Sequence, residues 1–278
     1  MQRRDFLKLL GAGFAYSLMP SILKADEGEG NEGRMEEPEE GSEETECVKV
    51  PVLMYHAVNN KDSIYSRAPA RFRRDLEYLY ENGYKLTSIE ELVNGTIHAD
   101  KPVVLTLDDA RGSQFRVDDE NNINSDCAVG IIEDFCSSHP EFGKTAMFYV
   151  SFSSNAAFGQ RSSVGYKLNW LLDNGYEVGN HTMRHTNMAS CSLEEFKDTI
   201  SDCKDEFEKY LGERASLVKS FCFPYCAVPS DEAKWEFLRG QFTSATIGGG
   251  RSYCDGDLYR IPRLGIEKTT SIERIMRL

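Results

Sequence analysis

"LLDNGYEVGNHTMRH" (residues 171–185) contains a helix end, a turn, a strand and two histidines in fifteen positions. Leu171 and Leu172 close an amphipathic stretch. Asn174-Gly175 supplies the left-handed residue at which helices stop, and Tyr176-Glu-Val-Gly starts a short strand. "LYENGYKL" (79–86) repeats the pattern: a helix ends at Asn-Gly and a strand begins at Tyr. A helix–turn–strand unit used twice in one chain implies parallel strands joined by right-handed helical crossovers.

Outward from this stretch the same alternation continues. "PVLMY" (51–55), "VVLTL" (103–107), "TAMFYV" (145–150), "YEVG" (176–179), "SLVKSFCF" (216–223), "TSATIG" (243–248) and "LYRI" (258–261) read as strands. After the histidines, Ser192 and Glu195 have the spacing of a capping box. Leu193, Phe196, Ile200, Cys203, Phe207 and Leu211 then recur at helical steps until Gly212. The pattern predicts a single α/β domain over residues 47–278, a distorted (β/α) barrel, with a doubly wound sheet as the alternative.

The termini and composition restrict where and on what the chain works. Residues 1–25, with Arg3-Arg4 followed by Phe6-Leu7-Lys8 and a short apolar run, have the layout of a twin-arginine-type export signal. The expected location is the periplasm, cell envelope or medium. The apolar run is too short to span a bilayer, so no membrane span is expected once the signal is removed. Residues 26–46 hold eleven acids against Arg34 and read as an acidic disordered spacer. The remainder carries 27 basic and 33 acidic residues, which gives no basic footprint for nucleic acid. Eight cysteines in an exported chain permit up to four disulfides of undetermined pairing; Cys203, on the apolar stripe of its helix, can equally be a buried thiol.

In a barrel, chemistry collects where strands end and loops lead to helices. Three unusual segments stand at such points. "VVLTL" runs into Asp108-Asp109, "YEVGN" into His181 and His185, and "SFCF" into Pro224-Tyr225. Two imidazoles and a carboxylate form a common ligand set for a catalytic divalent metal. Adjacent carboxylates repel, and a cation between them relieves that cost. Asp109 can then bind metal while Asp108 faces the attacking water.

"PVLMYHAV", "VVLTLDDA", "EVGNHTMRH" and "FCFPYC", in this order, resemble the polysaccharide deacetylase family, the NodB-homology domain of carbohydrate esterase family 4. The resemblance spans most of residues 47–265. It implies a distorted (β/α) barrel and a metal-dependent hydrolase that removes acetyl groups from N-acetylated sugars. By position, Asp109, His181 and His185 match the metal ligands, with zinc the expected ion. Asp108 matches the catalytic base, and Tyr225 a residue whose backbone N–H helps form the oxyanion hole. His56, directly after the first strand, is the candidate near the leaving group.

Three departures from the family pattern stand out. Ala110 follows the acids where glycine is usual, which predicts an ordinary backbone there. Cys222 occupies the place of an arginine near the base, and Arg263 in "RIPRLGI" is the candidate to orient Asp108 instead. No histidine follows His185, so the family's late Leu-x-x-His acid is missing. Asp231 and Trp235 match either a further family motif or a helix start with a buried ring. Glycan deacetylation is the expected activity. The alternatives are an amide hydrolase of the same fold acting on a non-sugar substrate, and a carbohydrate-binding protein without turnover.

Overall fold

The computed structural model describes residues 47–152 and 157–277. The export-signal reading of residues 1–25 and the spacer reading of 26–46 lie outside the described residues. Among the described residues ten strands are present: β1 (Val52–Tyr55), β2 (Ala57–Val58), β3 (Ser66–Arg67), β4 (Lys85–Leu86), β5 (Pro102–Asp108), β6 (Met147–Val150), β7 (Glu177–Asn180), β8 (Ser220–Cys222), β9 (Ser244–Gly248) and β10 (Ile261–Gly265). The helices are α1 (Pro69–Glu81), α2 (Ile89–Asn94), α3 (Ala128–Ser138), α4 (Val164–Asp173), α5 (Leu193–Leu211), α6 (Glu232–Gln241) and α7 (Ile272–Ile275).

The main sheet runs β1-β10-β9-β8-β7-β6-β5, every pair parallel, and β1 pairs with β5 to close the ring. A closed parallel barrel of seven strands results, and the doubly wound alternative, an open sheet, is ruled out. The distortion lies at the base. There β4 pairs with Pro102–Val103 of β5, while β6 pairs only with the later Thr106–Asp108. Among the described residues, no helix is long and apolar enough to cross a membrane.

Strand periodicity decides what the barrel holds. Successive side chains alternate faces, so Val103, Leu105 and Leu107 join the cluster packed under the helices, while Val104 joins Val52, Met147, Tyr149, Cys222 and Ile261 in a second cluster. Thr106 and Asp108 share the Val104 face. Every residue of β5 is buried, as expected of a strand covered on both sides. Gly179 on β7 is required by this filling. A Cβ there would lie 2.5 Å from the Tyr149 ring and 3.0 Å from the Ser220 carbonyl.

The Asn-Gly repeat folds twice in the same way. α1 and α4 end just before Gly83 (φ 78°) and Gly175 (φ 83°). The amides of Tyr84 and Tyr176 return to the carbonyls of Leu79 and Leu171, each at 3.0 Å. α5 buries Phe196, Ile200, Cys203, Phe207 and Leu211, and the Ser192 side chain accepts from the Glu195 amide. This is half of the expected capping box. The complete box is at α2, between Ser88 and Glu91. α6 starts at an Asp231 cap and buries Trp235, so a structural role accounts for both residues.

Two strand boundaries differ from expectation. Only Ser220–Cys222 of the "SLVKSFCF" run is strand, because residues 212–217 form a 3₁₀ turn. The last strand is Ile261–Gly265, displaced toward the C-terminus from "LYRI". Proline's missing N–H argues against an internal strand position. Here Pro262 precedes the point at which β10 begins to pair with β1, at Leu264, so the missing donor costs no ladder bond on that side. One disulfide, Cys47–Cys254, ties the segment before β1 to the loop before β10; the other six cysteines are free thiols.

Candidate active site

β5 sends Asp108 into the barrel mouth, where it is 2% exposed. Its carboxylate accepts a two-pronged bond from Arg263 of β10, Nη1 to Oδ1 at 2.7 Å and Nη2 to Oδ2 at 2.8 Å. Arg263 Nη1 also donates to Thr106 Oγ1 at 3.0 Å. The Cys222 thiol lies against the same group, 3.5 Å from Asp108 Oδ2. Burial pushes the Asp108 carboxyl up, but the Arg263 charge and fork outweigh it and hold the group below the usual carboxylate range. Asp108 therefore stays ionised. Arg263 does orient this carboxylate, from β10 on the other flank of β1.

Immediately after β5 the chain turns sharply. Asp109 has φ 76° and Ala110 φ 49°, so Ala110 takes the left-handed conformation that its side chain disfavours, against the sequence expectation. Tertiary bonds over-determine the turn. The Ala110 carbonyl accepts the Phe158 amide at 2.6 Å, and buried Gln114 donates its side-chain amide to the carbonyls of His56 and Asp108. The turn reverses the direction of Asp109 relative to Asp108, so the two adjacent acids serve different neighbours.

The histidine loop closes by a similar device. Asn180 Oδ1 accepts the Thr182 amide at 2.8 Å, and Thr182 Oγ1 accepts the Thr186 amide at 3.0 Å. Thr182 and His185 take φ of 63° and 56°. The two imidazoles, four positions apart on a loop, therefore converge to ring centroids 4.9 Å apart. His181 is buried, and its Nδ1 contacts the Cys222 carbonyl at 2.9 Å. Its Nε2 is thus directed at Asp109.

Asp109 Oδ1 lies 3.3 Å from His181 Nε2 and 3.2 Å from His185 Nε2. Asp109, His181 and His185 each offer one ligand atom, all within 4.8 Å of one another. Asp109 Oδ1 is buried without a hydrogen-bond partner, which is costly unless a cation satisfies it. With one carboxylate oxygen and two imidazole nitrogens, the group fits a divalent ion of the zinc type. Burial pushes Asp109 up, yet the histidine contacts hold it far below the usual range. Burial likewise lowers His181, but Cys222 and Asp109 leave it raised overall. The other Asp109 oxygen receives Arg111 Nε at 2.8 Å.

The six residues proposed as metal ligands or catalytic groups line one cavity of about 1100 Å³: His56, Asp108, Asp109, His181, His185 and Tyr225. Burial lowers the His56 imidazole below the ordinary histidine value, against the upward pull of Asp108 and Asp109. Tyr225 has φ 58°, and its exposed ring meets His185 edge-on at 4.4 Å. Sequence reasoning passed over Gln114, which fixes the His56 and Asp108 backbones, and Arg111, which holds Asp109. Both sit in the 110–126 segment, whose polar composition is that of any solvated loop.

A closed parallel barrel with a carboxylate and two histidines on its carboxyl rim is of the NodB type. A family model described as polysaccharide deacetylase matches residues 144–236, a span that contains both histidines and Tyr225. The family resemblance read from the sequence is thus borne out. Asp108, Asp109, His56 and Arg263 lie outside that span and join it through the fold.

Among solved structures, a Streptococcus pyogenes deacetylase, PplD, determined with acetate, is similar over 83% of this chain and 98% of its own, at TM-score 0.66 and 19% identity. A Bacillus cereus polysaccharide deacetylase is similar over 82% of this chain and 68% of its own, at TM-score 0.65 and 22% identity. The deacetylase domain of Bordetella bronchiseptica BpsB is similar over 79% of this chain and 96% of its own, at TM-score 0.54 and 14% identity. Identities this low speak for the fold. No curated protein sequence matches the chain.

Proposed function

We propose that the chain is a metal-dependent hydrolase that removes acetyl groups from an N-acetylated polysaccharide. One observation carries the proposal: an ionised, arginine-held carboxylate stands beside a separate carboxylate–histidine–histidine cluster in one cavity. The first group suits proton transfer and the second a cation, and amide hydrolysis by water needs both.

Asp109, His181 and His185 would hold the divalent ion, with zinc favoured by the donor set. Such an ion supplies Lewis-acid polarisation of the acetamide carbonyl and a lowered pKa for water. Asp108 accepts the proton of the attacking water, and Arg263 keeps it ionised and aimed. The Tyr225 amide donates to the oxygen that becomes negative as the carbonyl carbon turns tetrahedral. The carbon–nitrogen bond then breaks, acetate leaves, and the sugar nitrogen takes a proton to depart as an amine. His56, which lines the same cavity, delivers that proton from its protonated form, which the Asp108 and Asp109 charges favour against burial. Export through residues 1–25 belongs to the same proposal and puts the substrate in the cell envelope or beyond it.

The test is acetate release from chitin oligomers and peptidoglycan by the purified full chain. Release is expected with zinc, lost after chelation and restored by added metal. Metal binding with no acetate from any glycan would favour an amide hydrolase acting on non-sugar substrates. Tight sugar binding without turnover would favour a carbohydrate-binding protein.

A further inference from the structure

The charge around the cavity is opposite in sign to that of the chain. The protein carries a formal net charge of −13, yet among the described residues the only acids lining the cavity are Asp108 and Asp109. Both are already engaged, Asp108 by buried Arg263 and Asp109 by Arg111 and the histidines. Lys61 and Arg116 also line the cavity. Both are exposed. Among the described residues, neither Lys61 Nζ nor the Arg116 guanidinium has a hydrogen-bonding or ion-pair partner.

The acids nearest to them in sequence are committed elsewhere. Asp62 pairs with Lys268, and Asp118 accepts from the Asn122 side chain and the amides of residues 120 and 122. The backbones that carry the two cations are held. The Lys61 amide bonds Asn59 Oδ1 at 2.8 Å, and Asn59 in turn donates to Ser113. Next to Arg116, Val117 exchanges both of its backbone bonds with the Gln160 side chain, at 3.1 and 2.8 Å. Tyr65 and Tyr225, at 45% and 68% exposure, add aromatic rings at the cavity, which are suited to the apolar face of a pyranose.

We infer that the cavity selects an anionic glycan: an N-acetylated strand bearing carboxylate or phosphate groups within reach of Lys61 and Arg116. A neutral strand gives these two cations nothing to pair with, whereas an anionic strand is drawn into a cleft that focuses positive potential. This substrate class rests on the deacetylase reading of the same cavity.

The experiment compares three probes on the full, metal-loaded chain: a neutral chitin oligomer, a carboxylate-bearing muropeptide and a phosphate-bearing N-acetylglucosamine polymer. Acetate release and calorimetric binding are both measured, at low and high salt. For an anionic probe, KM is expected to rise with salt. In the Lys61→Glu/Arg116→Glu double variant it should rise roughly tenfold, the scale of two partly screened ion pairs, with kcat unchanged and the neutral oligomer unaffected. A response confined to the carboxylate or to the phosphate probe supports the inference and identifies the anion. Neutral preference by the wild type, or equal effects of the variant on all probes, overturns it. Salt-sensitive binding of anionic probes without acetate release keeps the inference and sinks the deacetylase reading. Binding of no probe overturns both.

Discussion

Asp108→Asn is expected to lower acetate release by about 10²–10⁴-fold, the usual contribution of a positioned proton acceptor. Asparagine keeps the shape of the side chain and one acceptor oxygen but cannot take a proton. Asp109, His181 and His185 are untouched, so metal content should stay at the wild-type level, which separates loss of the base from loss of the ion. Stability should fall as well. Arg263 is 1% exposed, and removing its counter-charge leaves a buried cation unpaired, a change that costs about 3–5 kcal/mol. Rates must therefore be measured well below the variant's melting temperature. A variant that retains metal, stays folded and still works within a few-fold of the wild type would remove Asp108 from the proton-transfer role.

Arg263→Ala is expected to damage the same carboxylate from the other side. Without the guanidinium, Asp108 keeps its burial, and burial raises its pKa. The acid limb of the pH–rate profile should then move to higher pH, with activity at neutral pH falling accordingly. Stability should change sign in its pH dependence. In the wild type, Asp108 has a depressed folded pKa, so its contribution is present above the unfolded value of about 4 and is lost as pH falls through the folded one. In the variant the raised pKa makes the contribution largest at acid pH and erodes it as the carboxyl ionises. Unfolding measured from pH 4 to 8 reads this slope, with a loss of about 3–5 kcal/mol at neutral pH. Arg263→Lys keeps the charge but not the fork, and is expected to restore the pH profile better than the rate. An unmoved pH profile in Arg263→Ala would mean that the arginine has no hold on the base.

Much of this arrangement was legible in the residues because it rests on local chemistry. The Asn-Gly turns, the strand ends at Asp108 and Asn180, and the four-residue histidine spacing each sit within a few positions of one another. The six proposed site residues meet in one cavity because strand ends meet in a barrel. What stayed hidden depends on closure of the ring. Arg263 faces Asp108 across 155 positions, and sequence spacing could offer it only as a candidate. The left-handed Ala110 was misread because the bond from Phe158 that holds it arrives from a distant segment. The last strand lies further along than "LYRI" because its pairing with β1 starts only at Leu264, a partner that ring closure alone supplies. Gln114 and Arg111 lay in a stretch whose composition matches any solvated loop, and only the folded turn brings them to the acids.

Zinc titration of the full chain and of its His185→Ala variant, followed by calorimetry, tests the central claim most directly. His185 is only partly buried, with its side chain 28% exposed, so its removal should leave the barrel intact. One ion per chain is expected for the wild type, with affinity in the variant reduced by more than the 10–100-fold that follows loss of an outer-shell partner. Undiminished one-to-one binding by the variant would contradict a site built from Asp109, His181 and His185.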